Sequence, residues 1–387
     1  MLERVPDPEA LAAFAAAEPD STPAEPSRRA ARKGRGATLN PASRYDHLQA
    51  APFDDGWAAT RLEDLPPLST TLIRDSARSV IAYNDSPDIG FDRAVNPYRG
   101  CEHGCVYCYA RPTHAYLGYS PGIDFETKIL FKPEVAALLS RELRKPGYVP
   151  RPLALGSNTD PYQPVERTLQ LTRAVLGVLE SCGHPCSIVT KSAGVLRDLD
   201  VLGRMAKRNL VRVFLSVTTL DAALARRLEP RAAAPQRRLQ AIAALHQAGV
   251  PVGVLAAPMI PGLNDSELEK ILEAASRQGA ECAGYVLLRL PHELRQIFTD
   301  WLQTHVPDRA RHVLGLIRET RAGSLNEARF GQRFSGTGPY AELLARRFAR
   351  AARQWGLEQR RELDCSQFHP PAGPHPPGVA QAQLSLF

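Results

Sequence analysis

The chain has 387 residues, 44% of them hydrophobic and 23% charged, so it is long enough for one large folded domain with additions or for two domains. Its formal net charge of +7 suits a polyanionic partner, although many basic proteins bind no nucleic acid. The apolar runs are too short to span a membrane, and the N-terminus lacks the pattern of a secretory leader. We therefore expect a cytoplasmic protein with no membrane contact.

The first 92 residues predict two segments outside the main domain. Residues 1–40 are rich in Ala, Pro and Arg, have five basic residues between Arg28 and Arg35, and lack the apolar periodicity of a packed element. This pattern predicts a disordered basic arm. Residues 41–92 separate aromatic and aliphatic side chains with Pro, Asp and Gly, which predicts an irregular accessory layer on the main domain.

The central part of the chain, residues 93–300, alternates short apolar runs with amphipathic stretches. The runs are AVNPYR, PLALGS, CSIVTKS, VRVFLSVTT, VPVGVLAAPMI and CAGYVLLRL. Nearly continuous apolar runs are typical of buried parallel strands, and the amphipathic stretches between them are typical of crossover helices. Six such units are too few for a closed eight-unit barrel. The sequence thus predicts an α/β core that is either a partial barrel or an open wound sheet.

The C-terminal part predicts a helical extension and then a tail. Three amphipathic patterns, HELRQIFTDWLQTHV, RARHVLGLIRETR and YAELLARRFARAARQWG, predict helices that extend through residues 301–362. Residues 363–387 are rich in Pro, which predicts a flexible tail. Arginines of the last pattern fall partly on one helical face, where they are either merely solvated or follow a phosphate backbone. They are Arg346, Arg347, Arg350, Arg353, Arg360 and Arg361.

Three of the seven cysteines lie close together in the loop after the first predicted strand. Cys101, Cys105 and Cys108 have the spacing C-x3-C-x2-C, and this clustering favours reduced thiols that bind a metal over a disulfide framework. A structural zinc site needs four protein ligands, whereas three thiolates leave one coordination position of an iron-sulfur cluster for a substrate. A zinc site completed by His103, His114 or a distant cysteine stays open as an alternative.

The motif and its position resemble the radical S-adenosylmethionine (SAM) superfamily. The aromatic Tyr107 just before the last cysteine and the six βα units are part of that resemblance. RGCEHGCVYCYARP, GSNTDPYQPVE, VTKS, LSVTT, LEPRAAAPQRRL and PMIPGLND are similar, in this order, to the spore photoproduct lyase-like group of DNA repair photolyase-like proteins. The resemblance implies a partial (β/α)6 TIM-type barrel.

The resemblance also implies the cofactors and their contacts. In the superfamily the three cysteines hold a [4Fe-4S] cluster, and SAM chelates the fourth iron and is cleaved to a 5′-deoxyadenosyl radical that abstracts hydrogen from a substrate. An electron donor such as flavodoxin or ferredoxin is implied as a partner. Side chains near the strand ends would contact SAM, or would be ordinary capping and loop residues. They are Tyr107, Thr159, Lys191 and Ser216.

The sequence departs from spore photoproduct lyases at one position. Those enzymes have a Cys in a Cys-Thr-Ser-Asp context that returns a hydrogen atom to the product radical, whereas this chain has Ser157 in SNTD. A Ser O–H bond is too strong for this role, so we predict that the chain does not repair spore photoproduct. Cys182 and Cys282 are expected to be packing residues, and Cys186 is expected on the far side from the cluster.

Four further charged residues each have two interpretations, and no catalytic residue is assigned. Asp160 and Glu166 either orient substrate or SAM, or form a turn and a helix cap. Glu229 and Arg231, in a loop expected to cross the barrel mouth, either contact substrate or SAM, or form a surface ion pair.

The last five residues, QLSLF, resemble the peptide by which bacterial DNA polymerases and repair proteins bind the sliding clamp. Leu386 and Phe387 would fill an apolar pocket, Leu384 would add a contact, and Gln383 would supply hydrogen bonds. A clamp partner would favour DNA as the substrate.

Three classes of function remain open from the sequence. The first is a radical SAM enzyme that acts on nucleic acid in a lyase-like DNA repair or modification reaction. The second keeps the radical chemistry with a protein or a metabolite as the substrate. The third is a non-catalytic iron-sulfur or zinc protein that binds nucleic acid.

Overall fold

The computed structural model describes residues 33–45, 68–359 and 361–372. The predicted clamp-binding peptide at Gln383–Phe387 and residues 46–67 of the predicted accessory layer lie outside these ranges, as do Arg360 and most of the predicted basic arm.

The described residues form ten strands and eleven α-helices. The strands are β1 Thr71–Arg74, β2 Ile81–Tyr83, β3 Arg93–Val95, β4 Tyr98–Arg99, β5 Lys128–Phe131, β6 Leu153–Leu155, β7 Cys186–Thr190, β8 Val211–Ser216, β9 Val252–Met259 and β10 Cys282–Leu287. The helices are α1 Asp124–Thr127, α2 Val135–Leu143, α3 Glu166–Leu169, α4 Leu171–Ser181, α5 Leu199–Lys207, α6 Ala222–Leu228, α7 Pro235–Gln247, α8 Leu268–Arg277, α9 Leu294–His305, α10 Pro307–Glu319 and α11 Pro339–Gln354. None of these helices is long and apolar enough to cross a membrane.

The main sheet has seven strands in the order β10-β9-β8-β7-β6-β3-β2. Strands β3 and β6 to β10 pair in parallel, and they correspond to the six apolar runs of the sequence. Strand β2 pairs antiparallel with β3, so β2 and β10 are the two edges of the described sheet. The partial TIM-type α/β fold is confirmed, and the sheet does not close into a barrel.

Burial on both faces explains why the parallel strands are so apolar. All three residues of β6 are buried, because the helices cover the outer face of the sheet. Helix α8 shows the matching pattern: Leu268, Ile271, Leu272 and Ala275 are buried at the i, i+3, i+4 and i+7 positions of one helical face. The sheet and the helices therefore share one continuous core, which holds the strand ends in fixed positions.

The structure differs from the sequence expectations in the segment before the core. Residues 41–92, expected to be irregular, include the strands β1 and β2, and a second small sheet has the order β1-β5-β4. Strands of three or four residues show too little alternation to be recognised, and they form here because a neighbouring strand supplies their hydrogen bonds. The small sheet positions the loop between β4 and β5, which contains the three cysteines.

Residues 33–40 also differ from the expected disordered arm. Arg35 to Leu39 are buried, and an added Cβ at Gly36 would lie 1.8 Å from the carbonyl oxygen of Gly104. The backbone therefore packs directly on the cysteine loop, which composition alone cannot show. We call residues 34–43 the N-terminal strap.

The helical patterns after the core form α9, α10 and α11. Helix α11 packs against α8 and β10, so it extends the last βα unit. The amphipathic stretch between β6 and β7 forms two helices, α3 and α4, which are separated at Gln170, whose φ of 50° lies in the left-handed region.

Candidate active site

The cysteine loop begins directly after β4 and is folded by its own backbone. The Cys101 N–H donates to the Phe125 carbonyl at 2.9 Å, and the Cys108 N–H donates to the Cys105 carbonyl at 3.2 Å. Gly104 has a φ of +68°, and an added Cβ there would lie 2.8 Å from a carboxylate oxygen of Glu126. A glycine is therefore needed between the first two cysteines. Cys101 and Cys105 are buried, whereas Cys108 is partly exposed.

The three thiols lie in one shared electrostatic environment. Burial raises the pKa of the Cys101 thiol, and the charges of Asp160, Cys105 and Cys108 raise it further. Burial likewise raises the pKa of Cys105. Metals bind the thiolate and not the thiol. The buried thiols therefore lose their protons only when a strongly positive group lies next to them.

The described residues do not assemble a zinc site with four ligands. In the described part of the chain, no three His, Cys, Asp or Glu side chains are arranged to hold a single metal ion. His103 Nδ1 lies 3.3 Å from an Asp160 carboxylate oxygen, and His114 Nε2 lies 3.0 Å from the Lys128 carbonyl oxygen. Zinc binds four ligands at about 2.3 Å or less, whereas an iron-sulfur cluster holds its cysteines further apart.

Three of the four predicted SAM-contacting residues meet beside the cysteine loop. Lys191 Nζ donates to the Ser216 hydroxyl at 3.0 Å and lies 5.8 Å from the centroid of the Tyr107 ring. Lys191 follows β7 and Ser216 ends β8, and the carboxyl ends of adjacent parallel strands meet at one edge of a sheet. Among the described residues Lys191 has no carboxylate partner, so its ammonium is available to a ligand carboxylate.

Thr159, the fourth of these residues, is used differently. Its hydroxyl donates to the Tyr98 carbonyl at 3.1 Å, and the residue is 2% exposed. This bond attaches the end of β6 to β4, so the structure places Thr159 beside the cysteine loop but occupies its donor. The contact of Thr159 with SAM stays a prediction.

Asp160 connects the cysteine loop to two strand ends. Its carboxylate accepts from the Lys191 N–H at 2.7 Å and the Thr190 hydroxyl at 2.7 Å, and it faces His103. Burial raises the pKa of Asp160, but His103 and the hydrogen bonds outweigh burial and lower it to about 2. The carboxylate also accepts from the Tyr162 N–H at 2.8 Å, as in an Asp-initiated turn. Asp160 thus positions Lys191 through its backbone.

Glu229 is not in a surface ion pair, contrary to one of its two interpretations. It is 2% exposed and binds Arg238, which is also buried, while Thr218 donates to it at 2.6 Å. The Tyr107 hydroxyl donates to the same carboxylate. This buried network fixes the aromatic residue of the cysteine motif. Arg231 instead pairs with Glu102 at 3.0 Å.

Glu166 is a buried structural carboxylate at the start of α3. It accepts from the Tyr98 hydroxyl, from the Thr172 N–H at 3.0 Å and from Arg197 at 2.9 Å. Its bonds join the helix to β4, and none of them reaches the cysteines.

Ser157, at the position of the missing hydrogen donor, lies beside the cysteine loop. It follows β6, its hydroxyl accepts from the Asn96 side chain at 3.1 Å, and its carbonyl accepts from the Tyr109 hydroxyl. In contrast, Cys186 and Cys282 are the first residues of β7 and β10, at the opposite ends of these strands.

The N-terminal strap is a part of the site that the sequence analysis missed. The Gly36 and Ala37 N–H groups donate to the Glu126 carboxylate at 2.9 and 2.8 Å, and Arg111 binds the same carboxylate. Glu126 and Arg111 are fully buried. The signal for this contact is the segment GRGATLNP, in which Gly36 has room only for a hydrogen atom against the cysteine loop.

The described arginines of the last helical pattern do not form one stripe. Arg347 pairs with Glu269 at 2.7 Å, and Arg361 lies 3.5 Å from Glu281. Three further described arginines share one face of α11 around a shallow depression of about 400 Å³ and have no acidic partner in the described chain. They are Arg346, Arg350 and Arg353.

Comparison with protein families identifies the core. Residues 95–275 match the sequence model of the radical SAM superfamily. An uncharacterized protein of Mycobacterium tuberculosis is 40% identical over 220 residues, which are 56% of this chain and 65% of that protein. An uncharacterized protein of Methanocaldococcus jannaschii is 27% identical over 178 residues, 46% of this chain and 64% of that protein. This chain thus spans slightly less than two thirds of the length of these relatives.

Solved structures show the same fold. Spore photoproduct lyase complexed with dinucleoside spore photoproduct has a TM-score of 0.54 at 18% identity, with 73% of this chain and 79% of that chain covered. A mutant of spore photoproduct lyase with bound AdoMet and dinucleoside spore photoproduct has a TM-score of 0.53 at 17% identity, with the same coverage.

The superfamily uses a [4Fe-4S] cluster and SAM, and the residues present fit both groups. Cys101, Cys105 and Cys108 are three thiols in one electrostatic environment, and Lys191 offers an ammonium without a carboxylate partner among the described residues. The carboxyl ends of the parallel strands, where α/β enzymes bind their ligands, adjoin the cysteine loop. Residues 95–275 thus match the radical SAM superfamily in sequence, and the fold and the site are similar to those of a radical SAM enzyme.

Proposed function

We propose that this protein is a radical SAM enzyme whose substrate is nucleic acid. In this chemistry the bound cluster and SAM supply a 5′-deoxyadenosyl radical that abstracts hydrogen from a substrate. The observation that carries the proposal is the meeting of Lys191, Ser216 and Tyr107 beside the cysteine loop. These residues would bind and orient SAM, while Glu229 and Asp160 hold Tyr107 and Lys191 in place.

Nucleic acid is proposed as the substrate because of three features. Arg346, Arg350 and Arg353 form an exposed cationic face without acidic partners in the described chain, and such a face suits a phosphate backbone. The net charge of the whole chain is +7. A protein of the same fold has been solved with a dinucleoside photoproduct.

The proposed reaction is a DNA repair or modification reaction other than spore photoproduct repair. Ser157 lies beside the cysteine loop where those enzymes have a hydrogen-donating cysteine, and its O–H bond is too strong for that step. We expect that DNA containing spore photoproduct yields no repaired thymines with this protein. Efficient repair would contradict the role given to this position.

The first experiment is anaerobic reconstitution with iron and sulfide, followed by incubation with SAM and dithionite. We expect 5′-deoxyadenosine to form, in greater amount when DNA is added. In a second experiment, mass spectrometry should show that nucleic acid from cells with the protein differs in composition from nucleic acid from cells without it. A colourless zinc protein that is inert toward SAM would overturn the enzyme proposal. Stimulation by protein or metabolite fractions, but not by DNA, would overturn the nucleic-acid substrate.

We also propose that the tail binds the DNA polymerase sliding clamp through Gln383, Leu384, Leu386 and Phe387. A short peptide of this kind should bind in the micromolar range, about −8 kcal/mol. Titration of the clamp with the full chain and with a variant lacking Gln383 to Phe387 tests this partner. Equal binding by both, or by neither, removes the proposal.

The cellular setting is proposed from the cysteines. The cysteines form no disulfide among the described residues, which is typical of a reducing compartment such as the cytoplasm. The reductant would then be a small cytoplasmic electron carrier such as flavodoxin or ferredoxin. Replacement of dithionite by either carrier with its reductase should support formation of 5′-deoxyadenosine.

A further inference from the structure

We propose that Arg289 binds a backbone phosphate of a single-stranded polynucleotide. The phosphate would lie near the carboxyl ends of the parallel strands, between the rings of Tyr109 and Phe334. This inference rests on the proposed function and deepens it, because it assigns a substrate contact that no cofactor requires. It concerns a part of the site different from the Lys191 and Ser216 pair.

The position of Arg289 places it beside the cysteine loop. It lies two residues after the end of β10, the last parallel strand, and the ends of these strands surround the site. Its guanidinium carbon lies 5.0 Å from the centroid of the Tyr109 ring, and Tyr109 directly follows Cys108. The Tyr109 hydroxyl in turn donates to the Ser157 carbonyl. A group bound to Arg289 would therefore be adjacent to the cysteine loop.

Arg289 has no anionic partner in the described parts of the chain. Neither an ion pair nor a hydrogen bond of its guanidinium occurs there, and its contacts are the faces of Tyr109 and Phe334, the latter at 5.2 Å. The nearby Asp88 is occupied: it binds Arg333 through two bonds of 2.6 and 2.9 Å. A half-buried guanidinium without an anion retains all its donors for a ligand.

A second buried arginine holds the wall of this site in place. Arg321, which is 1% exposed, donates to the carbonyls of Leu287 and Leu288 at 2.7 Å each and to those of Gln332 and Arg333 at 3.0 Å each. These bonds attach the segment around Phe334 to the end of β10. The aromatic walls and Arg289 are thus arranged before any ligand binds, which lowers the entropic cost of binding.

The chemistry of the site fits a polynucleotide better than a small anion. Tyr109 is 45% exposed and Phe330, over which Arg333 lies at 4.9 Å, is 57% exposed. Exposed aromatic faces next to arginines are the combination on which bases stack while phosphates pair with guanidinium groups. Arginine binds phosphate through a planar, bidentate fork, and the rings of Tyr109 and Phe334 orient that fork.

The test measures binding of a fluorescently labelled single-stranded oligonucleotide to the anaerobically reconstituted full chain by anisotropy. We expect Arg289→Gln to weaken binding about tenfold, because a hydrogen-bonded charge contact is lost. Arg289→Lys, which keeps the charge but not the fork, should weaken it less. The matched control is Arg277→Gln, whose arginine pairs with Glu273 on the surface of α8 and should bind like the wild type. Iron content and circular dichroism should be the same in all four proteins.

The outcomes separate this inference from the proposed function. Equal affinity of Arg289→Gln and the wild type, or no binding of the oligonucleotide by the wild type, would overturn the phosphate contact. Competition by inorganic phosphate or a mononucleotide as strong as by the oligonucleotide would assign the site to a small phosphate ligand and would also overturn it. Formation of 5′-deoxyadenosine from SAM is measured independently, so its failure would overturn the radical SAM proposal alone.

Discussion

Among the described residues, charged side chains are paired on one side of the cysteine loop and unpaired on the other. On the side of the N-terminal strap, the buried Glu126 is neutralised by Arg111 and by backbone N–H groups of the strap. On the side of the strand ends, Lys191 meets a hydroxyl and Arg289 meets aromatic rings, with no carboxylate partner in the described residues. An uncompensated cation in a partly buried site costs free energy. We call the side of the strand ends the open side and the side of the strap the closed side. Anionic ligands are therefore expected on the open side, whereas the closed side is structural.

The largest effect should come from the loop itself. Cys101→Ala, Cys105→Ala or Cys108→Ala should abolish the cluster, because each removes one of three thiolate ligands. Iron content and visible absorbance after anaerobic reconstitution measure this loss. Cys182→Ala is the matched control, since this buried cysteine lies at the end of α4 and should leave iron content unchanged. Full cluster content in any of the three loop variants would contradict the ligand assignment.

The closed side should be sensitive to removal of its carboxylate charge. Glu126→Gln leaves Arg111 buried without a counter-charge, which should lower the free energy of unfolding by about 3 kcal/mol. Urea unfolding under anaerobic conditions measures the change. Glu134→Gln, in an exposed pair with Arg74, is the control and should unfold almost like the wild type. If both variants behave alike, the strap side is not the structural side.

Substitutions on the open side should change the affinity for ligands and leave the free energy of unfolding unchanged. Lys191→Ala should weaken SAM binding about thirtyfold, the effect of losing one charged hydrogen bond of about 2 kcal/mol, while iron content is kept. Isothermal titration of the reconstituted protein measures the affinity. Lys207→Ala, at the end of the outer helix α5, is the matched control. Unchanged SAM affinity in Lys191→Ala would remove Lys191 from the cofactor site.

The smallest effect on ligand binding should come from substitutions on the exposed, solvated face of α11. Replacement of Arg346, Arg350 and Arg353 by Gln should reduce the slope of log affinity for single-stranded DNA against log salt by about 2, because each arginine releases about 0.7 counterions. A control triple variant changes Arg74, Arg204 and Arg277, which pair with acids at the surface, and should keep the slope. Equal slopes in the two triple variants would show that the α11 face does not bind phosphates.

Several features of the protein were readable from local sequence. The six apolar runs predicted the six parallel strands, because burial on both faces makes such strands continuously apolar. The cysteine spacing and its place after the first strand predicted a resemblance to the radical SAM superfamily, and residues 95–275 match the sequence model of that superfamily. Lys191 follows β7 and Ser216 ends β8, so their meeting follows from the adjacency of the two strands, while their contact with SAM stays a prediction.

Other features depend on contacts between residues far apart in the chain, and only the tertiary structure decided them. The sequence does not show that Glu229 is buried against Arg238, that Glu126 receives the strap from 90 residues away, or that Arg289 lies between two rings. Local patterns report burial and periodicity, which neighbours in sequence share. The partner that neutralises a charge is set by packing across the whole fold, so the difference between the closed and the open side of the cysteine loop appears only when that fold is known.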